Sequence, residues 1–183
     1  MIALKNVDFS YGGKAVLKNF ELTVENGEAI CLCGPSGCGK STVLKLIAGL
    51  IAPKHGKITA DGKVSMVFQE DRLIPRLNIK ENIAAVADGE NYLEALGLNE
   101  AAEKLPKELS GGMARRAAIA RALAFGGDIL LLDEPFNGID SENKKKAAEL
   151  ILNRFNGKSI LLVSHNDEDI ALLKARKIEM PKI

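Results

Sequence analysis

Eight consecutive residues, Gly34-Pro35-Ser36-Gly37-Cys38-Gly39-Lys40-Ser41, fit the pattern G-x-x-x-x-G-K-[ST] in full. The residue types suit a phosphate cradle. Glycines let backbone N–H groups turn toward phosphate oxygens with no Cβ in the way. A helix starting here adds unpaired donors and the positive end of its dipole. Lys40 offers a mobile cation for the β- and γ-phosphates, and the Ser41 hydroxyl offers a ligand for Mg²⁺. Thr42 follows at the helix start and joins the candidate binding set. The plainer alternative is a tight strand-to-helix turn that holds nothing. A complete match between a strand and a helix speaks against it. The motif implies a nucleoside triphosphate, without saying which chemistry follows.

A second group of chemical residues lies far along the chain. Asp133 and Glu134 end the apolar run Ile129-Leu130-Leu131-Leu132. Ligands of parallel sheets gather at the C-terminal ends of the strands. Asp133 is therefore a candidate to hold Mg²⁺, and Glu134 a candidate general base on an attacking water. Alone, two acids could simply begin a loop; the phosphate motif raises their standing. His165 ends another apolar run, Ser159 to Val163, after Ser164. It would reach the same sheet edge, within range of a γ-phosphate.

The elements that must position these groups are legible as patterns. Ile2 to Phe9 alternates loosely and stops at Tyr11-Gly12-Gly13. Phe20 to Val24 alternates more cleanly, and Asn26-Gly27 is a hairpin signal. Glu28 to Cys33 predicts a short strand. Ser41 to Leu50 has helical spacing at Val43, Leu44, Ile47 and Leu50. Gly56 to Ala60, the Asp61-Gly62 turn and Val64 to Phe68 predict another hairpin. From Asn78 to Phe125 Ala, Leu, Glu and Lys dominate, which predicts helix. The runs at 129–132 and 159–163 suit strands buried on both faces of a parallel sheet, with a helix over Glu142 to Phe155 between them. The expected fold is α/β: a phosphate-loop core with a mostly parallel sheet, an N-terminal antiparallel β subdomain and an inserted α-helical subdomain. The expected organisation is one domain over 1–183, with core segments 1–68 and 126–183 and the helical subdomain at 69–125. The run Lys144-Lys145-Lys146 is most simply a solvated helix face.

Composition excludes other classes. The chain has 183 residues, 46% apolar and 27% charged, as soluble globular domains do. Twenty-five Lys and Arg against 24 Asp and Glu leave a net charge of +1, so no polybasic footprint for nucleic acid is present. The apolar stretch from Leu46 to Ala52 is far short of the ~20 residues that span a bilayer. The N-terminus shows no apolar signal region, so the expected location is the cytosol, with any membrane contact made through a partner. Cys31, Cys33 and Cys38 are an odd count without a neighbouring His; small buried residues in a strand and loop are a better reading than a metal site or a disulfide framework. Cys38 lies inside the phosphate loop, so thiol-alkylating reagents are expected to compete there with the nucleotide.

Leu109-Ser110-Gly111-Gly112-Met113, followed by Arg115-Arg116-Ala117-Ala118-Ile119-Ala120-Arg121-Ala122-Leu123, resembles the signature motif and helix of ABC-type ATPase subunits. The likeness runs in order along nearly the whole chain: Tyr11, the phosphate loop, Gln69, the signature, Asp133-Glu134, Asp140 and His165. It implies that Tyr11 stacks on adenine and that Gln69 joins the Mg²⁺ shell and senses a transport partner. It further implies ATP and Mg²⁺ as ligands, Glu134, His165 and Gln69 in catalysis, and Ser41, Gln69 and Asp133 around the metal. Two subunits, identical or closely related, would stack head to tail. Ser110, Gly111, Gly112 and Asp140 of one would then face the ATP of the other.

The chain departs from the family pattern at three places. Met113 replaces the usual glutamine, and Gly138 stands where alanine is commoner. Lys40 to Gln69 is short for the family, which implies a trimmed hairpin after Asp61-Gly62. The segment Gln69 to Ile83 resembles ATPases of nitrate, sulfonate and taurine importers, although Arg76 stands where tryptophan is frequent. That likeness implies a transmembrane permease docked beside this segment, a substrate-binding protein reached indirectly, and a place on the cytoplasmic face of the membrane. With the chain ending at Ile183, no C-terminal regulatory domain is expected. The alternatives are a soluble ABC-type ATPase in assembly or repair and, more remotely, a small-molecule kinase.

Overall fold

The computed structural model describes residues 1–87 and 92–181. In chain order the elements are β1 (Ile2–Tyr11), β2 (Lys14–Val24), β3 (Ala29–Cys33), α1 (Lys40–Ile47), β4 (His55–Ala60), β5 (Val64–Val67) and α2 (Ile79–Ala84). There follow α3 (Gly111–Phe125), β6 (Ile129–Asp133), α4 (Ser141–Arg154), β7 (Ser159–Val163), α5 (Asp167–Leu172) and β8 (Arg176–Glu179). An antiparallel sheet has the order β2-β1-β4, and a parallel sheet the order β5-β6-β7-β3-β8.

The continuous apolar runs explain the parallel sheet. Leu130, Leu132, Ile160, Leu162 and Cys31 enter one core cluster, with residues of α3 and α4. Ile129, Leu131, Leu161, Val163, Ile30 and Leu32 enter the other, with α1 and the antiparallel sheet. Both faces of the central strands are covered, and each such side chain contributes about 1.5–3 kcal/mol by burial. This register carries Cys33, Asp133 and Val163 to one edge, where the phosphate loop, Glu134 and Ser164-His165 emerge. Among the described residues no helix is long and apolar enough to cross a membrane.

Several expectations are corrected. Asn26-Gly27 closes no hairpin: β2 belongs to the antiparallel sheet and β3 to the parallel one. An amphipathic partner alone would leave one face of the wholly apolar β3 uncovered. Likewise β4 pairs with β1 and β5 with β6, so Asp61-Gly62 hands the chain from one sheet to the other. Asp128 fixes that crossing, its carboxylate accepting from Lys63 N at 2.8 Å.

The block at 78–125 is helical only in α2, α3 and two short 3₁₀ turns, Asn99–Ala101 and Pro106–Glu108. The positive φ of Gly97 and the missing N–H of Pro106 interrupt it; its positions 88–91 lie outside the described residues. Lys144 is buried rather than solvated, while Lys145 and Lys146 are exposed. The short helix α5 and the edge strand β8 were not anticipated.

Candidate active site

The phosphate loop leaves β3 at Cys33 and enters α1 at Lys40. Its glycines answer to space as well as to φ. A Cβ on Gly34 would lie 2.6 Å from the Met180 carbonyl, and Gly39, at φ 104, packs against Val16 and Leu17 of β2. The Lys40 ammonium donates to the carbonyls of Gly34 at 2.7 Å and Pro35 at 3.1 Å. It thus braces the loop it must share with a phosphate. Tyr11, Val16, Gly37, Gly39, Lys40, Ser41 and Thr42 line a cleft of about 280 Å³. Tyr11 stands at its mouth, half exposed, its ring edge-on to Phe9 at 4.8 Å. Val16 was missed by sequence reasoning; nothing in its neighbourhood marks it.

Ser41 Oγ donates to Asp133 Oδ1 at 3.1 Å, joining the loop to the end of β6. Gln69 lies beside them, lining a second cavity of about 70 Å³ with Ser41, Lys45, Phe68, Glu70, Arg72 and Asp133. Burial pushes the Asp133 carboxyl up, and the Ser41 hydroxyl pulls it part of the way back. Glu134 follows in a left-handed conformation, φ 49, which costs a non-glycine residue about 1–3 kcal/mol. Its N–H is tied to the Val163 carbonyl at 2.9 Å, which holds the turn. Its Oε1 lies 3.6 Å from Nε2 of the half-exposed His165. Burial raises the Glu134 carboxyl above its ordinary range, against the opposing pull of His165. A buried carboxylate beside a histidine, next to a phosphate cradle, is suited to taking a proton from water.

Ser110 caps α3, accepting from Met113 N at 3.3 Å. Ser110 and Gly111 are exposed, and neither they nor Gly112 line the two cavities at the phosphate loop. Gly112 instead meets the loop after Glu134: a Cβ there would sit 2.6 Å from Gly138 O. Asp140 ends that loop as the cap of α4, its carboxyl held below the usual range by bonds from Asn143. The structure therefore gathers Tyr11, Gly34–Thr42, Gln69, Asp133, Glu134 and His165 at one edge, and keeps the exposed Ser110, Gly111 and Asp140, with the half-buried Gly112, as a separate group.

Arg115 was missed. It is buried on α3 and donates to the carbonyls of Phe68, at 2.6 Å, and Gln69, and it pairs with Asp71 at 3.2 Å. The signature helix is thereby locked to the Gln69 segment.

One expectation changes sign. From its place in the loop Cys38 was expected to offer its thiol to the nucleotide cleft, so that alkylating reagents would compete with ATP. The side chain is 2% exposed and points into the core cluster with Val43 and Met180. Iodoacetamide is now expected to label Cys38 slowly, at the same rate with and without ATP; nucleotide protection, read by peptide mass spectrometry, is the contrary result. Cys31 and Cys33 are free thiols on one face of β3, Sγ to Sγ 3.8 Å, and burial pushes the Cys31 thiol up to about 12.

The profile of a family described as ABC transporter matches residues 17–137. The chain belongs to the ABC transporter ATP-binding family. It is 40% identical to the aliphatic sulfonates import ATP-binding protein SsuB 1 of Pseudomonas savastanoi pv. phaseolicola, across 93% of this chain and 76% of that one. It is 35% identical to the taurine import ATP-binding protein TauB of Escherichia coli O157:H7, across 94% and 76%. A dimeric ATP-binding cassette in a post-hydrolysis state, bound to ADP and Pi, superposes with a TM-score of 0.86 at 32% identity, across 100% of this chain and 95% of that one. The α/β architecture with its antiparallel subdomain is the ABC cassette fold, and the chain is an ATP-binding ATPase.

Proposed function

We propose that this chain is the ATP-hydrolysing subunit of a membrane importer for small organic anions such as sulfonates. It works at the cytoplasmic face as one cassette domain over 1–183, whose segment 69–125 is the subdomain carrying the signature. The observation that carries the hydrolytic part is the Ser41–Asp133 bond, with Glu134 and His165 beside it. Support for import comes from the relatives' names. An apolar groove of about 270 Å³ adds to it, lined by Leu50, Val64, Met66, Phe68, Val86 and Phe125 next to the Gln69 segment. It suits an apolar helix of a permease.

Each residue has a stated task. Tyr11 stacks on adenine, and the backbone N–H groups of 34–39 with Lys40 grip the β- and γ-phosphates. Ser41, Asp133 and Gln69 fit Mg²⁺, a hard cation that takes oxygen ligands. When bound it neutralises charge on the phosphate oxygens. Glu134 accepts the proton of the attacking water as its oxygen bonds to the γ-phosphorus and the bond to the β-phosphate bridge oxygen breaks. His165 touches the γ-phosphate and steadies it. Ser110, Gly111 and Gly112 offer N–H groups to the ATP of a second ATPase subunit, and Asp140 links the two sites across the dimer. Closure of that dimer on ATP moves the permease, which a substrate-binding protein supplies with cargo.

The test is an affinity capture of tagged Glu134→Gln protein with Mg-ATP from detergent-solubilised host membranes, read by mass spectrometry. A polytopic membrane protein at comparable stoichiometry is expected. Recovery of soluble partners alone would overturn the importer reading.

A further inference from the structure

Lys144 should be on the surface by its composition, yet it is 7% exposed and its charge meets a buried acid, Asp169, and an exposed one, Glu168. Its Nζ lies 2.9 Å from Asp169 Oδ1 and 3.1 Å from Glu168 Oε2, both on α5. Asp169, itself 2% exposed, uses its other oxygen to accept from Ser164 Oγ at 2.9 Å. That hydroxyl oxygen in turn accepts from Asn166 N at 3.1 Å, and the Asn166 side chain accepts from Glu168 N at 2.8 Å. Ser164 and Asn166 are the two neighbours of His165. Among the described residues the histidine side chain makes no hydrogen bond, and its Nε2 lies 3.6 Å from Glu134 Oε1. Its place is therefore set by its backbone, and its backbone is set by this chain of bonds.

The other end of the chain of bonds is equally specific. The Lys144 N–H closes the first turn of α4 on the Asp140 carbonyl at 2.9 Å. Asn143, one residue earlier, holds the Asp140 carboxylate and accepts from Arg116 of α3 at 3.2 Å. Buried charge of this kind is costly to assemble, and removing one partner strands the other.

We infer that Lys144 and Asp169 are positioning residues for His165, holding the histidine through Ser164 and tying its place to the start of α4 at Asp140. The inference rests on the reading of His165 as the γ-phosphate contact. Neither residue lines the cavities at the phosphate loop.

The chain has two histidines, and the other, His55, is exposed on β4, which makes it an internal reference. The experiment is imidazole NMR of the full chain labelled at histidine, in the wild type, Asp169→Asn and Lys144→Met. Lys144→Gln takes the place of methionine should that variant fail to fold. Asp169→Asn keeps the size of the side chain and removes one negative charge; Lys144→Met removes one positive charge. If both release the same loop, the His165 signal moves in the same direction in both, and His55 stays still. An unmoved His165 signal, or shifts of opposite sign such as charge alone would produce, overturns the inference.

Turnover is measured beside it. The expected result is a fall in kcat of about tenfold or more, the scale for a misplaced catalytic group, with ATP affinity within about twofold of wild type. A His165 signal that moves together in both variants while kcat stays unchanged leaves the positioning role standing. In that case it is the γ-phosphate role of His165 that fails.

Discussion

Replacing Lys40 by alanine is expected to remove ATP binding over the useful concentration range and turnover with it. The side chain is almost fully buried, and its ammonium already lies against the carbonyls of Gly34 and Pro35. A bound triphosphate would meet this cation in place, with little further ordering to be done. Truncating one partner of a buried charge contact costs about 2–5 kcal/mol, and each 1.4 kcal/mol is tenfold, so affinity should drop by about thirtyfold to several thousandfold. Arginine is not expected to rescue, because its planar fork needs room that a loop packed on Val16 and Met180 does not offer. The check is a calorimetric titration with Mg-ATP. A dissociation constant within about threefold of wild type would mean that the backbone donors carry the phosphates alone.

The ease of that prediction reflects where sequence was sufficient. The phosphate loop is eight neighbours on one short segment, and local residue types dictate its geometry. β3, β6 and β7 were legible for a related reason: a strand apolar on both faces has few places to go except the middle of a covered sheet. Pairing partners were less legible. The turns at Asn26-Gly27 and Asp61-Gly62 carry good hairpin residues, yet both connect different sheets, because β3 pairs with β7 and β8, and β4 and β5 with β1 and β6, all distant in sequence.

Lys144 was misread, although its signal was present. Ala147, Ala148 and Ile151 stand three, four and seven positions on, the spacing of one helix face, and all are buried. Arg115 has the same relation to Ala118, Ile119 and Ala122. A long charged residue at the head of an apolar stripe is thus carried inward, where Lys144 meets the acids Asp169 and Glu168, and Arg115 meets Asp71 and the carbonyls of Phe68 and Gln69. The direction of the Cys38 thiol had no such signal, since it follows from the path of the loop against β8 and its flanking Met180.

Replacing Glu134 by glutamine is expected to separate binding from turnover, which the Lys40 variant cannot do. The two side chains have the same shape, and the backbone bond from residue 134 to Val163 is untouched. ATP affinity should stay within about threefold. Turnover should fall by about a hundredfold to ten-thousandfold, the range for loss of a positioned proton acceptor. Because closure then persists without hydrolysis, the ATP-bound dimer should accumulate and run as a larger species in size-exclusion chromatography with Mg-ATP, and not with Mg-ADP. The pH dependence gives a second reading. A base must be unprotonated to act, so wild-type kcat rises with pH through the Glu134 titration. Burial holds that titration above the value of about 4.3 for a free glutamate side chain, so the acid limb should be displaced upward. In Glu134→Gln the group no longer titrates, and whatever residual rate remains should lose this limb. A limb retained in the variant would assign it to another group and remove Glu134 from the role of base, even if the rate had fallen as expected.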